Sequence, residues 1–465
     1  MADVETDYLV IGAGASGMAF TDAVLDGGDA HVTLVDRRDD VGGHWRDAYP
    51  FVRLHQASPF YGVASTPFDT GVQTTGPEAG LGGRATGAEV RGYYEGVLRD
   101  RFLPSGRVRF LGGHEARLPE SGGAGTCTLV EAATGAEQEV RVRRRVVDAR
   151  YLSPEIPALT PPPFAVDDDA TCVPVGDLPA VADDAGAFVV VGSGKTATDA
   201  IVWILQRGTA PDAIWWVRPR DPWMLDRAVV QPDPAVFLSM ATAVMTAGAT
   251  ASSVDDLFLR LEDDGVMLRL DPDVTPTMAR VPTLGRWELD LLRTVTRVVR
   301  HGHLRRVSAG LLRCDDGDVA VPRDAVVVHC AADGLRVRPP VPVWSPGRIV
   351  VQPVRAGFPC FGAALTGHVE ATRGDRDDDE LNALCAPTPL FSTPRDWVAA
   401  QGAGALSSAA FMADPDLARW AHSTSLNPAR VRPEDRERPE VRAVLGRLRD
   451  VSAEGARGLL RLGAA

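Results

Sequence analysis

Lysine is almost missing from this chain. Among 465 residues there is one, Lys195, and every other basic side chain is arginine. Positive charge is scarce altogether: 49 basic residues stand against 62 acidic ones, a formal net charge of −13. That balance excludes a broad basic face, so neither nucleic acid nor a membrane surface is an expected partner. An anionic ligand must be held by local devices, such as helix N-termini and single arginines. Long apolar runs are missing too. None reaches the roughly 18 residues that span a bilayer, and the longest candidate, Met240 to Ala251, is interrupted by threonines and reads as a buried helix. No basic segment followed by an apolar one opens the chain, so no secretory signal is read there. The cysteines (Cys127, Cys172, Cys314, Cys330, Cys360 and Cys385) include no close pair. That excludes a metal knuckle and a redox dithiol, and the cysteines read as small apolar residues of a cytoplasmic protein. No metal site is expected.

What is present is apolar bulk and glycine in register. Hydrophobic residues make up 45% and charged residues 24%, the profile of a globular protein with a large core, long enough for two or three domains. Two segments share one pattern. Tyr8 to Ile11 reads as a strand, followed by Gly12-Ala13-Gly14-Ala15-Ser16-Gly17, a helix through Leu25, and a strand His31 to Val35 closed by Asp36. The second copy runs from Ala187 to Val191 through Gly192-Ser193-Gly194-Lys195-Thr196-Ala197. A helix to about Leu205 and a strand Ala213 to Val217, closed by Arg218, complete it. Both are β-turn-α-β units.

In the first unit Gly12 permits the tight turn, Gly14 lets the backbone approach a pyrophosphate, and Gly17 lets helix pack on sheet. The N-terminal N–H groups of the helix, at Ala15 and Ser16, meet the phosphates. Asp36, with Arg37 beside it, is placed for ribose hydroxyls and repels a 2′-phosphate, so the site suits FAD or NAD. In the second unit alanine replaces the third glycine and arginine replaces the acid. Arg218 and Arg220 either meet a 2′-phosphate, which favours NADPH over NADH, or form surface ion pairs. Lys195 either reaches a pyrophosphate or is a solvated surface lysine. A P-loop would need glycine where Val189 stands.

Five prolines between Pro154 and Pro163 exclude helix and central strand and read as an extended linker. Residues 222–300 read as a mostly helical insertion, with strands returning at Ala325 to Cys330 and Arg348 to Gln352, and helix after Pro394. The expected fold is α/β with two Rossmann-type dinucleotide-binding domains, a helical insertion and a helical C-terminal extension. Its parts are a first domain (1–153 and 325–390), a second (164–324) and the extension (391–465). Trp223, Met224, Phe237, Met240, Phe258 and Trp287 either shape a pocket between domains or fill an ordinary core.

After Asp36 comes Gly42-Gly43-His44-Trp45, which resembles the G-G-x-W of flavin-containing and Baeyer–Villiger monooxygenases. Gly192 to Asp199 is similar to the family's second-fold motif, G-x-G-x-S-G-x-D, and Ala331-Ala332-Asp333-Gly334 stands in the place of its A-T-G segment. The resemblance spans roughly residues 5–220 and, more weakly, 325–370. It implies FAD at the first turn, contacted also by Gly43, His44 and Trp45, and NADPH at the second. It implies a flavin C4a-hydroperoxide formed with molecular oxygen, and a small-molecule substrate oxygenated at nitrogen or sulfur. It places Arg53, His55 and Gln56 near the isoalloxazine as candidate catalytic residues, His55 handling a proton or a hydrogen bond, or serving structure alone.

Two departures stand out. No histidine follows Phe164 where the family has F-x-G-x-x-x-H, and histidine replaces the acid of an R-x-D at Arg53-Leu54-His55. Both argue against a Baeyer–Villiger oxygenation. They leave open an NADPH-dependent flavin reductase, or a nucleotide-binding protein without catalysis.

Overall fold

Tyr8, Leu9, Val10 and Ile11 are all buried, as a parallel strand covered on both faces requires. In the computed structural model, which describes residues 4–119, 122–355 and 357–464, their strand Val4–Ile11 runs parallel to Val32–Val35 on one side and Glu137–Asp148 on the other. Val108–Leu111 extends the sheet beyond Val32–Val35, and Arg348–Val350 beyond Glu137–Asp148. The helix Ala15–Gly27 crosses Pro359–Arg373 closely enough that a Cβ on Gly367 would lie 2.6 Å from the Phe20 carbonyl oxygen.

A second, all-parallel sheet has the order Val298–Val299, Ile214–Val217, Phe188–Val191, Val326–His329, Cys172–Pro174. Val326–His329 therefore belongs here, and the chain recrosses to the first sheet after Cys330, later than the boundary at 325 read from sequence. A fully apolar four-residue strand carries no mark of which sheet it will enter. The two crossing segments run side by side: Glu155 and Gly334 exchange backbone hydrogen bonds of 2.9 and 3.1 Å. The proline-rich segment holds neither helix nor strand beyond that bridge.

Residues 222–300 are less helical than expected. Trp223–Asp226 pairs with Met267–Arg269 and Thr283–Leu284 in a three-stranded sheet, between the helices Pro234–Thr250, Val254–Asp263 and Arg286–Leu292. Strands this short have no legible period, and their pairing is set by distant partners. After Pro394 the chain is helical, as Pro394–Ala413, Pro415–Ser423 and Pro439–Ala464. Proline in the first turn and side-chain caps from Asp233 and Thr393 start Pro234–Thr250 and Pro394–Ala413.

Insertion and extension, separate in sequence, form one helical layer. Pro439–Ala464 lies on Pro234–Thr250 through glycines: a Cβ on Gly458 would sit 1.9 Å from the Gly248 carbonyl oxygen. No helix among the described residues is long and apolar enough to cross a membrane.

Gly458→Ala should force this crossing apart and destabilise the protein by about 1–3 kcal/mol. Gly446→Ala, on the same helix with open space around it, should be neutral or slightly stabilising. Thermal melting of both variants checks this; equal melting temperatures would contradict it.

Candidate active site

Both glycine turns lie at the carboxyl ends of parallel strands and line one continuous cleft of about 2260 Å³, where open α/β sheets bind ligands. At the first, Gly12 has φ +105°, and a Cβ on Gly17 would strike the Gly12 carbonyl oxygen at 1.8 Å. Gly14 packs on Gly43, the second glycine of Gly42-Gly43-His44-Trp45; a Cβ on Gly43 would lie 2.9 Å from the Gly14 Cα. At the second turn, Gly192 has φ +135° beside the Cys330 carbonyl, and a Cβ on Gly194 would meet nothing within 4 Å. The helices that follow, Ala15–Gly27 and Lys195–Gln206, begin at Gly14 and Gly194. Neither has a side-chain cap or an acid in its first turn. Their first N–H groups lack intrahelical acceptors and are free to meet phosphate oxygens. Both cradles thus fit the pyrophosphate of a dinucleotide, with Ala15, Ser16, Ser193 and Thr196 along the cleft. Ala197 is buried against the second sheet instead.

Asp36 lies in the cleft and is already engaged: its carboxylate accepts the Ala13 N–H at 2.7 Å and the Arg38 N–H at 2.9 Å. It therefore fixes the turn as well as lining the cleft. Arg37 is exposed at the same edge. Trp45 donates to the Tyr61 hydroxyl at 2.6 Å and packs with His44, whose imidazole burial holds down to about 4.

Gln56 lines the cleft and donates to the Gly357 carbonyl at 2.8 Å. Arg53 does not join it; it is exposed and donates to the Arg84 carbonyl. Leu54 lines the cleft with His55 and Gln56, so Arg53 alone of this segment turns away from it. His55 lines the cleft with a ring held down to about 3 by burial and by the cations Lys195, Arg227 and Arg84. It is a neutral imidazole throughout the physiological range.

The arginines part company at the second turn. Arg218 is buried, stacked over Trp216 at 4.2 Å and paired with Asp221 at 3.1 Å, so it does not line the cleft. Arg220 does, exposed and without a carboxylate partner among the described residues. Arg280, unremarked in the sequence, lines the same stretch and donates to the Asp333 carbonyl. Lys195 borders the cleft but is not a solvated surface lysine. It is buried and paired with Asp199, one helical turn on, with Glu288 at 3.8 Å.

That pair belongs to a buried ionic cluster with little trace in the sequence. Arg227 bonds Glu78 and, at 2.6 Å, Glu288; Arg84 pairs with Glu78 at 3.1 Å. Trp287 donates to Glu78 at 3.0 Å, and the Tyr49 hydroxyl to Asp199 at 2.7 Å. Burial pushes the Glu78 carboxyl up, but Arg227 and Arg84 overcome it and hold it at about 2. Arg84, Arg227 and Lys195 thus balance Glu78, Glu288 and Asp199, and the cluster ties residues 49–84 to the second glycine turn. Beside it Phe51 stacks on Trp203 at 5.1 Å.

Beyond the turns the cleft continues between Pro234–Thr250, Pro394–Ala413 and Pro439–Ala464. Its walls there include Phe237, Met240, Val244, Trp397 and Met412. Of the aromatics named from sequence, Phe237 reaches this space, whereas Trp223 and Phe258 stack on each other in a core.

Comparison with known proteins agrees with this arrangement. Residues 10–74 match the model of the NAD(P)-binding Rossmann-like domain. The uncharacterized protein Rv2000 of Mycobacterium tuberculosis is 39% identical over 428 residues, 91% of this chain and 78% of its own length. Mb2023 of Mycobacterium bovis matches equally. Among solved structures, cyclohexanone monooxygenase from Rhodococcus sp. Phi1, bound to NADP+, is similar at a TM-score of 0.53 and 16% identity, covering 97% of this chain and 98% of that one. Polycyclic ketone monooxygenase from Thermothelomyces thermophila is similar at 0.50 and 13%, covering 98% and 90%. These two establish a shared fold.

Arg227→Met removes the cation shared by Glu78 and Glu288, leaves Glu78 with Arg84 only and Glu288 with distant Lys195, and should destabilise the protein by about 3–5 kcal/mol. Adding Glu78→Gln and Glu288→Gln should recover part of it in denaturant unfolding; no recovery would contradict the pairing. The imidazoles predict the acid side. Unfolded chains take up protons near the ordinary 6.5, whereas folded His55 and His44 resist until about 3 and 4. Stability is therefore full above about pH 6.5 and is lost as pH falls toward those values. His55→Gln should shrink the drop in melting temperature between pH 7.5 and pH 5.5; an unchanged drop would refute the neutral assignment.

Proposed function

This chain belongs to one family with the mycobacterial protein Rv2000, on the fold of the flavoprotein monooxygenases. From that membership and the geometry of the cleft, we propose an oxidoreductase that binds FAD at Gly12–Gly17 and NADPH at Gly192–Ala197. We further propose that it oxygenates a small-molecule nitrogen or sulfur centre with molecular oxygen. The observation that carries the reading is the pair of uncapped glycine turns opening on one cleft. When bound, the flavin supplies the redox chemistry.

The chain's own residues then bind and orient. The helix N-termini hold the two pyrophosphates, Asp36 faces the flavin-side ribose, and Gly43, His44 and Trp45 close over the first turn. Arg220, with Arg280 in the same stretch, recognises the 2′-phosphate in place of buried Arg218. Gln56 and neutral His55 border the reacting region as hydrogen-bonding groups; His55 carries no charge to donate a proton from imidazolium. The helical layer shields that region from water. A neutral imidazole where an acid is expected favours oxygenation of a soft nucleophile over that of a ketone. The absence of histidine after Phe164 favours a second reading, an NADPH-dependent flavin reductase that returns its electrons to oxygen as peroxide.

Oxygen consumption and hydrogen peroxide release, measured together with candidate amines and thioethers, separate the two. Consumption well above peroxide, with an oxygenated product, supports the first; one peroxide per oxygen with every candidate refutes it. Arg220→Gln should reduce the preference for NADPH over NADH by about 10- to 100-fold, the worth of a charge-assisted contact. An unchanged preference would remove Arg220 from the site.

A further inference from the structure

One half-buried cation in the cleft has no counter-charge among the described residues. Arg355 lies in the loop between the strand Arg348–Val350 and the helix Pro359–Arg373, and it lines the cleft. Its guanidinium carbon sits 5.8 Å from the centre of the Phe237 ring. Among the described residues it makes no ion pair, donates no hydrogen bond and feels no other charged group; withdrawal from water alone lowers it, to about 10.

Several other arginines withdrawn from water are matched by acids. Arg227 has Glu78 and Glu288, Arg145 has Glu370 and Asp378, Arg218 has Asp221 and Arg373 has Asp414. A guanidinium partly withdrawn from water without an acid is costly. Here it faces an open space rather than packed protein, so the missing partner has room to enter.

The surroundings say what else that partner carries. Phe237 and Phe358 pack edge to face at 5.7 Å beside Arg355. Away from them the cleft is walled by Met240, Val244, Trp397 and Met412 from the insertion and the extension. The dinucleotide phosphates already have their donors at the two glycine turns. A small inorganic anion would satisfy the guanidinium and leave the apolar walls bare.

We propose that the substrate of this cleft is a lipophilic carboxylic acid, its carboxylate paired with Arg355 and its apolar body lying between the three helices. Fork geometry suits the planar guanidinium to a carboxylate. The nitrogen or sulfur centre, where oxygenation occurs, would then lie on the same molecule, held at a fixed distance from its acid end. The inference rests on the proposed function for the chemistry performed, and on Arg355 alone for the charge recognised.

The test is calorimetric titration of the purified protein with octanoate and with octanamide, its neutral counterpart. Octanoate should bind about 30-fold or more tightly than the amide. Arg355→Gln should erase that difference, and Arg355→Lys should keep part of it, which also serves if the glutamine variant folds poorly. Equal affinities for acid and amide, no octanoate binding at low millimolar concentration, or an acid preference that survives Arg355→Gln would each overturn the proposal. So would a variant that loses FAD while keeping the acid preference, which would assign Arg355 to the flavin. Acid preference in a protein that takes up no flavin would refute the cofactor reading and leave this one standing. Flavin reduced by NADPH with no acid preference would do the reverse.

Discussion

A guanidinium buried as deeply as Arg227 must be neutralised at once and in full, and here that requires three parts of the chain to meet. Glu78 comes from the loop after the first unit, Glu288 from the insertion, and the pair Lys195–Asp199 from the helix behind the second glycine turn. Such a cluster adds little net stability, because desolvation offsets attraction. It specifies geometry instead. A relative shift of the two halves leaves a charge unpaired in low dielectric, so the cluster fixes how the two turns look across the cleft.

The same charges explain the residue at position 55. An acid there would add a carboxylate to a set already balanced. A neutral imidazole leaves the balance intact, and burial, with the neighbouring cations, keeps it neutral. The single lysine of the chain sits within that balanced set.

The glycine turns were legible because backbone geometry admits little else: no side chain fits at Gly17 or Gly192. The order strand, turn, helix, strand followed from the same residues. The choice between Arg218 and Arg220 was not made, although a signal existed. Asp221 stands three residues after Arg218 and aromatic Trp216 two before, enough to hold that arginine inside. Lys195 and Asp199 likewise stand one helical turn apart, the spacing of an ion pair, which the motif they share obscures. Glu78, Arg227 and Glu288 lie in three distant segments with no pattern to join them. The three-stranded sheet and the union of insertion with extension depend on long-range packing in the same way.

The account turns on whether two different dinucleotides occupy the two turns and exchange electrons across the cleft. Anaerobic mixing of FAD-loaded protein with one equivalent of NADPH, followed by flavin absorbance, measures this directly. The account predicts that the oxidised flavin band bleaches in proportion to the NADPH added. A protein that holds no flavin, or whose bound flavin stays oxidised in excess NADPH, would contradict it.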